Sequence, residues 1–457
     1  MIHRNIRLLL MMILLWAQLA CNDEWLDKKP NKSLVVPKKV EDFQALLDNV
    51  EYMNQNHTGA LSEIGTDNLI LPLHAWQTRL PEERNAYIWG PTDTFYEGTQ
   101  NAEWFYSYER IQRVNIVIDG LNDINENTST WQNAMGSALF FRAFDLYNLA
   151  QVFCKPYALN SDNASLGLVL RQSSNINEAV KRSTLEETYR MIINDLEEAT
   201  SLLPDLPEIK TRPSKAAAYA LLARIYLSME DYQQSLLYAD RSLNIFNELL
   251  DFNELNVVSN NPVGRLNSEV ILHCRLVNYG ALQFNRMLVD TTLYGMYDEN
   301  DLRKQAYFRT VNGGFAFKGS FDGSGINFCG FSTGELLLIK AECTARLDDP
   351  QQALLNLKKL LDKRYLTGNS PSLAALEAME LLPAILNERR KELCFRGLRW
   401  ADLRRLNRDS RFKKVIIRYL ETGTYELFPN DVRYVFPIDD NEIMLTGIQQ
   451  NIREYDN

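Results

Sequence analysis

Ala216-Ala217-Ala218-Tyr219-Ala220-Leu221-Leu222-Ala223-Arg224-Ile225-Tyr226-Leu227-Ser228, then Met229-Glu230-Asp231, then Tyr232-Gln233-Gln234-Ser235-Leu236-Leu237 is the stretch on which the fold turns. The alanine run reads as a helix whose small residues let a neighbour approach closely. Pro213 stands where it can open that helix. After the acidic pair Glu230-Asp231, an amphipathic partner helix runs from Tyr232 to about Phe246. The pattern returns 118 residues later: Ala223 matches Ala341, Asp231 matches Asp349, Gln233-Gln234 matches Gln351-Gln352, Leu236-Leu237 matches Leu354-Leu355, and Leu243 matches Leu361.

Small-residue helix, short acidic turn and amphipathic helix together are similar to the helical hairpin of tetratricopeptide repeats. The two copies are not in tandem, so several hairpins with inserted segments are expected rather than a simple solenoid. Upstream, Trp104, Tyr108, Ile111, Asn115 and Ile118 recur at spacings of three or four and predict a helix over 103–118. A second is expected over 131–153. Ser183 with Glu186 reads as a capping box opening a third, which Pro204 and Pro207 stop. Glu269 to Leu276 is β-prone. The fold class is therefore mainly α, a scaffold of tetratricopeptide-like hairpins with a loop-rich region and minor β.

Two inserts differ in character from these helices. Residues 54–102 and 278–331 are rich in aromatics among Pro and Gly, and the run Gly313 to Gly325 reads as a flexible loop. A rigid helical frame holding variable loops is a common way to present a binding surface. The candidate ligand-contacting residues are Trp76, Tyr87, Trp89 and Tyr96 in the first insert, and Tyr294, Tyr297 and Phe321 in the second. Trp104 and Trp400 are assigned to the frame.

The start of the chain reads as a targeting signal. Arg4 and Arg7 precede thirteen mostly apolar residues, Leu8 to Ala20, which end at Cys21. That run is shorter than the ~20 residues a membrane span needs and suits a secretory signal. Ala20 before Cys21 resembles a bacterial lipoprotein cleavage site, with Gln18 in place of the usual leucine. Asn22-Asp23-Glu24 resembles the surface-export signal of Bacteroidetes lipoproteins. Removing residues 1–20 would leave 47 basic against 59 acidic side chains, a formal charge of −12. Such a surface repels phosphate backbones, so nucleic acid is not an expected partner. No second apolar run reaches membrane length, so a lipidated Cys21 would be the anchor.

Catalytic signs are sparse. Cys154, Cys274, Cys329, Cys343 and Cys394 form no CxxC pair and read as small buried hydrophobes. His57, His74 and His273 build no HExxH. Neither a G-x-S-x-G elbow nor a G-x-x-x-x-G-K-[ST] loop occurs. No cofactor or metal is expected. A glycosidase needs only two opposed carboxylates, which 59 acidic residues do not exclude.

Glu388-Arg389-Arg390-Lys391-Glu392-Leu393 leads through Phe395 and Gly397 into Arg399-Trp400-Ala401-Asp402-Leu403-Arg404-Arg405. Alternating Arg and carboxylate, with Trp400 and apolar positions between them, suggests a clamp pinning two helices. The stretch resembles the E-R-R-x-E-L/F-x-x-E-G-x-R-W-x-D-L signature of the SusD/RagB family of nutrient-binding lipoproteins, with Arg396 where an acidic residue is common. Thr211 to Arg224, Ala138 to Tyr157, and Phe436-Pro437-Ile438 with Glu442-Ile443 and Gln449-Gln450-Asn451 resemble other family segments. The resemblance implies a signal peptide at 1–20, a SusD-like N-terminal region at 21–250 and a SusD/RagB C-terminal region at 251–457. It implies an outer-membrane, surface-exposed protein that captures glycan and passes it, unaltered, to a SusC-like TonB-dependent transporter. A peptide-binding member of the family, a surface glycoside hydrolase and a pure protein-binding scaffold are the competing readings.

Replacing Cys21 by Ala should leave the protein soluble or unprocessed in cell fractionation. Unchanged partition into the outer membrane would overturn the anchor.

Overall fold

The computed structural model describes residues 37–124, 126–373 and 378–453. Cys21 and the apolar run before it lie outside the described residues. The compact unit begins at Val40.

Its frame helices are α1 (Val40–Leu47), α2 (Ala102–Asn122), α3 (Ser129–Phe153), α4 (Leu185–Leu202), α5 (Lys215–Ser228), α6 (Tyr232–Ile245), α7 (Thr333–Arg346), α8 (Pro350–Leu361), α9 (Ala378–Glu392) and α10 (Arg399–Leu406). Each of α2 to α8 packs on the next, α9 packs on α7 and α8, and α1 lies against α2 and α3. The β content is small: paired two-stranded antiparallel ribbons such as Val270–Leu272 with Phe331–Ser332. The mainly α expectation holds.

The repeat is geometric as well as sequential. Asp231 and Asp349 both cap the second helix of their hairpins, accepting from Gln234 N and Gln352 N at 3.1 Å. The residues before them, Glu230 and Asp348, both take the left-handed conformation, at φ 64° and 62°. The cap amides close on equivalent carbonyls, Tyr226 O at 3.0 Å and Thr344 O at 2.9 Å. Although 87 residues separate the end of α6 from the start of α7, the two helices are direct neighbours. The hairpins therefore stack consecutively and the second insert is extruded from between them. Residues either side of 250 thus share one core.

Two start signals shift. The capping box is Thr184 with Glu187, because the Ser183 hydroxyl instead bonds Leu168 O (2.9 Å) within the ribbon formed by 166–169 and 182–184. Pro213 precedes the cap rather than opening the helix, because Ser214 accepts from Ala217 N at 3.2 Å. The turn between α9 and α10 uses Gly397 at φ 74°, where a Cβ would meet Leu276 and the carbonyl of Gly59.

The charged stretch at 388–405 is a buried clamp. Glu392 holds Arg364 at 2.9 Å and Arg303 at 3.1 Å, Arg364 reaches Glu269 at 2.7 Å, and Arg303 binds Asp301 at 2.8 Å. All five side chains are fully buried. A Cβ on Gly334 would sit 2.8 Å from Glu269 Oε1 and 3.1 Å from Glu392 Oε1. On the other side, Arg389 pairs with Asp402 (2.9 Å) and Arg405 bridges Asp402 and Glu342, tying α9, α10 and α7. Arg396, the departure from the acidic pattern, lies 4.0 Å over the Phe321 ring and donates to Ser332 Oγ at 2.9 Å.

The same stretch fixes the first insert. Asp67 binds Arg399 (2.8 Å), Arg390 (3.3 Å) and Lys414 (2.6 Å). Burial raises its pKa, but Arg399 and Arg390 outweigh it and hold the carboxyl well below the usual range. Glu103 accepts from Gly59 N (3.2 Å) and Leu61 N (2.8 Å), while its Oε2 has no hydrogen-bond partner among the described residues. Burial therefore pushes Glu103 from 4.5 up to about 7.

Arg364→Met would leave Glu269 and Glu392 facing each other in the core. A loss of about 3–5 kcal/mol in denaturant unfolding is expected; a loss under about 1 kcal/mol would show that this cluster does not hold the frame together. Glu103 binds its proton up to about pH 7 in the fold but only to 4.5 when unfolded, so its contribution is complete below pH 4.5 and declines as pH rises to about 7. Glu103→Gln should shrink the drop in melting temperature between pH 5 and pH 8. An unchanged drop would contradict the assignment.

Candidate ligand-binding site

Most of the first insert's aromatics face inward. Short helices at Ala60–Ile64, Leu73–Gln77 and Pro81–Ile88 replace the expected open loop. Tyr87 is buried, its hydroxyl accepting from Leu71 N at 3.1 Å, and Arg418 lies 4.3 Å over its ring. Buried Trp89 donates to Gly65 O at 3.0 Å. Tyr96, also buried, donates to Pro437 O at 2.9 Å and accepts from Asn101 Nδ2 at 2.6 Å. In each case a polar handle satisfied inside lets a large ring serve as core. Trp76 is half-buried and donates to Arg84 O at 3.0 Å.

The second insert divides in the same way. Tyr297 is buried and donates to Lys391 O at 2.7 Å. Phe321 is buried beneath the Arg396 guanidinium. Tyr87, Trp89, Tyr96, Tyr297 and Phe321 thus offer no open ring face, which corrects the expectation of ligand contact at those five positions. The start of the Gly313 to Gly325 run is not a flexible loop: Asn312-Gly313 is the turn of a hairpin pairing Phe308–Val311 with Gly314–Phe317.

Tyr294 remains half-exposed. It stacks on Phe315 with ring centroids 3.4 Å apart and planes within 10°. The pair lines an open cavity of roughly 360 Å³ with Glu299, Lys304, Gln305, Arg309, Thr310 and Lys318. Lys304 lies 5.4 Å from the Tyr294 centroid and pairs with Glu299. Lys318 is tethered to Val257 O (2.8 Å) and Ser259 O (2.7 Å). Among the described residues Arg309 Nε has no hydrogen-bond partner. A flat aromatic floor ringed by amide, hydroxyl and cationic groups suits a polyhydroxylated or oxyanionic ligand. Phe315 and the polar ring were not among the candidate residues read from the sequence. The Asn312-Gly313 dipeptide, a strong hairpin signal, would have placed Phe315 opposite Thr310.

A second groove, of roughly 400 Å³, runs beside Trp104, Phe105, Tyr108, Glu109, Asp439 and Glu442. Burial, then Asp439, raises the pKa of Glu442. Asp439, however, is engaged as a helix cap, accepting from Glu442 N at 3.0 Å, and also accepts from Asn101 N. Trp104 and Trp400 are both buried frame residues.

All five described cysteines are free and buried, and burial pushes thiols such as Cys154 up to about 11. Burial, then Arg110, lowers His57 to about 4 while Asp145 faces its Nδ1 at 3.3 Å. These groups are not poised as nucleophile or base at pH 7. Among the described residues no cluster of three His, Cys, Asp or Glu could hold a metal, and no helix is long and apolar enough to cross a membrane.

Two family models match the chain. One, described as starch-binding associating with outer membrane, matches residues 24–227; the other, described as the SusD family, matches 297–455. SusD-like protein P2 of Formosa agariphila is 31% identical over 138 residues, which is 30% of this chain and 26% of that protein. The fold is similar to a SusD superfamily protein from Bacteroides thetaiotaomicron (TM-score 0.74, 21% identity, 91% of this chain and 100% of the other). It is similar to a SusD-like carbohydrate binding protein from Bacteroides vulgatus (0.67, 19%, 90% and 97%). A laminarin binding SusD-like protein gives 0.66 at 20% identity, covering 90% and 97%.

Proposed function

Because the chain belongs to the SusD/RagB family, we propose that it is a cell-surface glycan-binding lipoprotein. It is tethered to the outer membrane through Cys21. It captures oligo- or polysaccharide without altering it and hands it to a SusC-like TonB-dependent transporter. The observation that carries this reading is the open cavity floored by the Tyr294–Phe315 stack and ringed by Lys304, Gln305, Arg309, Thr310 and Lys318. Sugar rings lay apolar C–H faces on aromatic surfaces while amides, hydroxyls and cations bond their hydroxyls. Such capture needs affinity and release, with no group that acts only in a transition state. The carbohydrate-binding and laminarin-binding descriptions of two structural neighbours support the ligand class. The outer-membrane description of the matching family model supports the location. Trp76, the other half-exposed candidate, is kept as a contact residue.

Calorimetry against neutral and acidic glycans and against peptides tests this. Glycan binding that Tyr294→Ala weakens roughly tenfold is expected, since removing a stacked ring costs about 1 kcal/mol or more. Binding of peptides alone, or glycan cleavage by the purified protein, would overturn it.

A further inference from the structure

Arginines from the two inserts converge on one glycine. Arg79, from the first insert, and Arg286, from the second, both point their Nη1 atoms at Gly280. A Cβ there would collide with both, Arg286 Nη1 lying 2.6 Å from its position. Glycine is what allows the two guanidiniums to converge. Like charges brought together normally carry an intervening carboxylate, yet among the described residues neither arginine has one. Among the described residues Arg79 donates only to Ala75 O (3.1 Å) and Thr78 Oγ1 (3.0 Å), and the Arg286 side chain meets no hydrogen-bonding or ionic partner. Glu83, which reaches the residue after Gly280, is engaged with the amides of Leu80 (3.1 Å) and Ala281 (2.6 Å). Two residues from Arg286, exposed Phe284 lies 4.2 Å beneath the Arg309 guanidinium, which itself lines the cavity. Among the described residues, two guanidiniums converging on Gly280 and a third at the cavity, joined to them through the Phe284 segment, thus have no carboxylate partner, in a chain whose formal charge is −10.

We infer that Arg79, Arg286 and Arg309 form a subsite for the oxyanion of an acidic glycan, a uronate carboxylate or a sulfate ester. This rests on the glycan-capture reading above. The planar fork of arginine matches either group with two parallel charge-assisted hydrogen bonds. Phe284 and the Tyr294–Phe315 stack supply the surface for the sugar rings. An acidic body repels polyanions at long range, so a local cationic rim selects them at contact.

The test measures affinity for oligogalacturonate, its fully methyl-esterified form, a sulfated galactan, a neutral laminari-oligosaccharide and polyglutamate. An acidic glycan should bind at least tenfold tighter than its neutral counterpart, and that advantage should shrink with added salt. The oligogalacturonate and sulfated-galactan arms distinguish carboxylate from sulfate. Arg286→Gln removes a side chain that meets no hydrogen-bonding or ionic partner among the described residues and leaves the fold intact. It and Arg79→Gln should each weaken acidic-glycan binding about ten- to a hundredfold and leave neutral-glycan binding unchanged. Equal affinity for ester and acid, or arginine variants that bind as the parent does, would overturn the subsite while glycan capture stands. Binding of polyglutamate but no glycan would overturn both.

Discussion

Glu392 is the residue on which the architecture closes. Its carboxylate takes Arg364 from the end of the second hairpin and Arg303 from the second insert, and through Arg364 it reaches Glu269 beside the Val270–Leu272 strand. Four segments far apart in the chain therefore meet at one fully buried charge cluster. Burying charge is costly, and a well-packed apolar cluster of the same volume would hold the fold at least as strongly. What the ions add is geometry: directional, bidentate bonds that accept one arrangement of the hairpins and inserts. Gly334 shows how close the fit is, because a single methyl there would push into two of the carboxylates.

The same logic runs outward to the ligand face. Asp67, held by Arg399, Arg390 and Lys414, fastens the first insert to the turn after α9. Arg418 donates to carbonyls of Thr66 and Leu69 on that insert. Clamped in this way, an apparent loop becomes core. Tyr87, Trp89 and Tyr96 turn inward and bond their polar ends to backbone. Only the margin stays open, and there the charge balance reverses. Most buried arginines of the frame have a carboxylate, as Arg303, Arg364, Arg389 and Arg405 do; among the described residues Arg79, Arg286 and Arg309 have none.

The helices were legible because their periodicity is local. The 118-residue repeat carried even its detailed chemistry, since the left-handed Glu230 and Asp348 and the caps Asp231 and Asp349 depend on neighbours a few residues away. The clamp at 388–405 was legible as well, because alternation of arginine and carboxylate across buried positions has few other uses. One-residue errors arose where a competing local bond intervened. Ser183 reads as a cap until the ribbon at 182–184 claims its hydroxyl.

Sequence alone therefore determined the class of fold, the repeated hairpin and the buried ionic signature, all of which follow from spacing within a few helical turns. Tertiary structure alone decided that the separated hairpins are neighbours, that five of seven candidate rings are core, and that arginines from two inserts converge on Gly280. The physical reason is that burial and charge compensation are properties of what approaches from elsewhere in the chain. An aromatic in a glycine-rich stretch looks the same on the page whether another segment covers it or leaves it open.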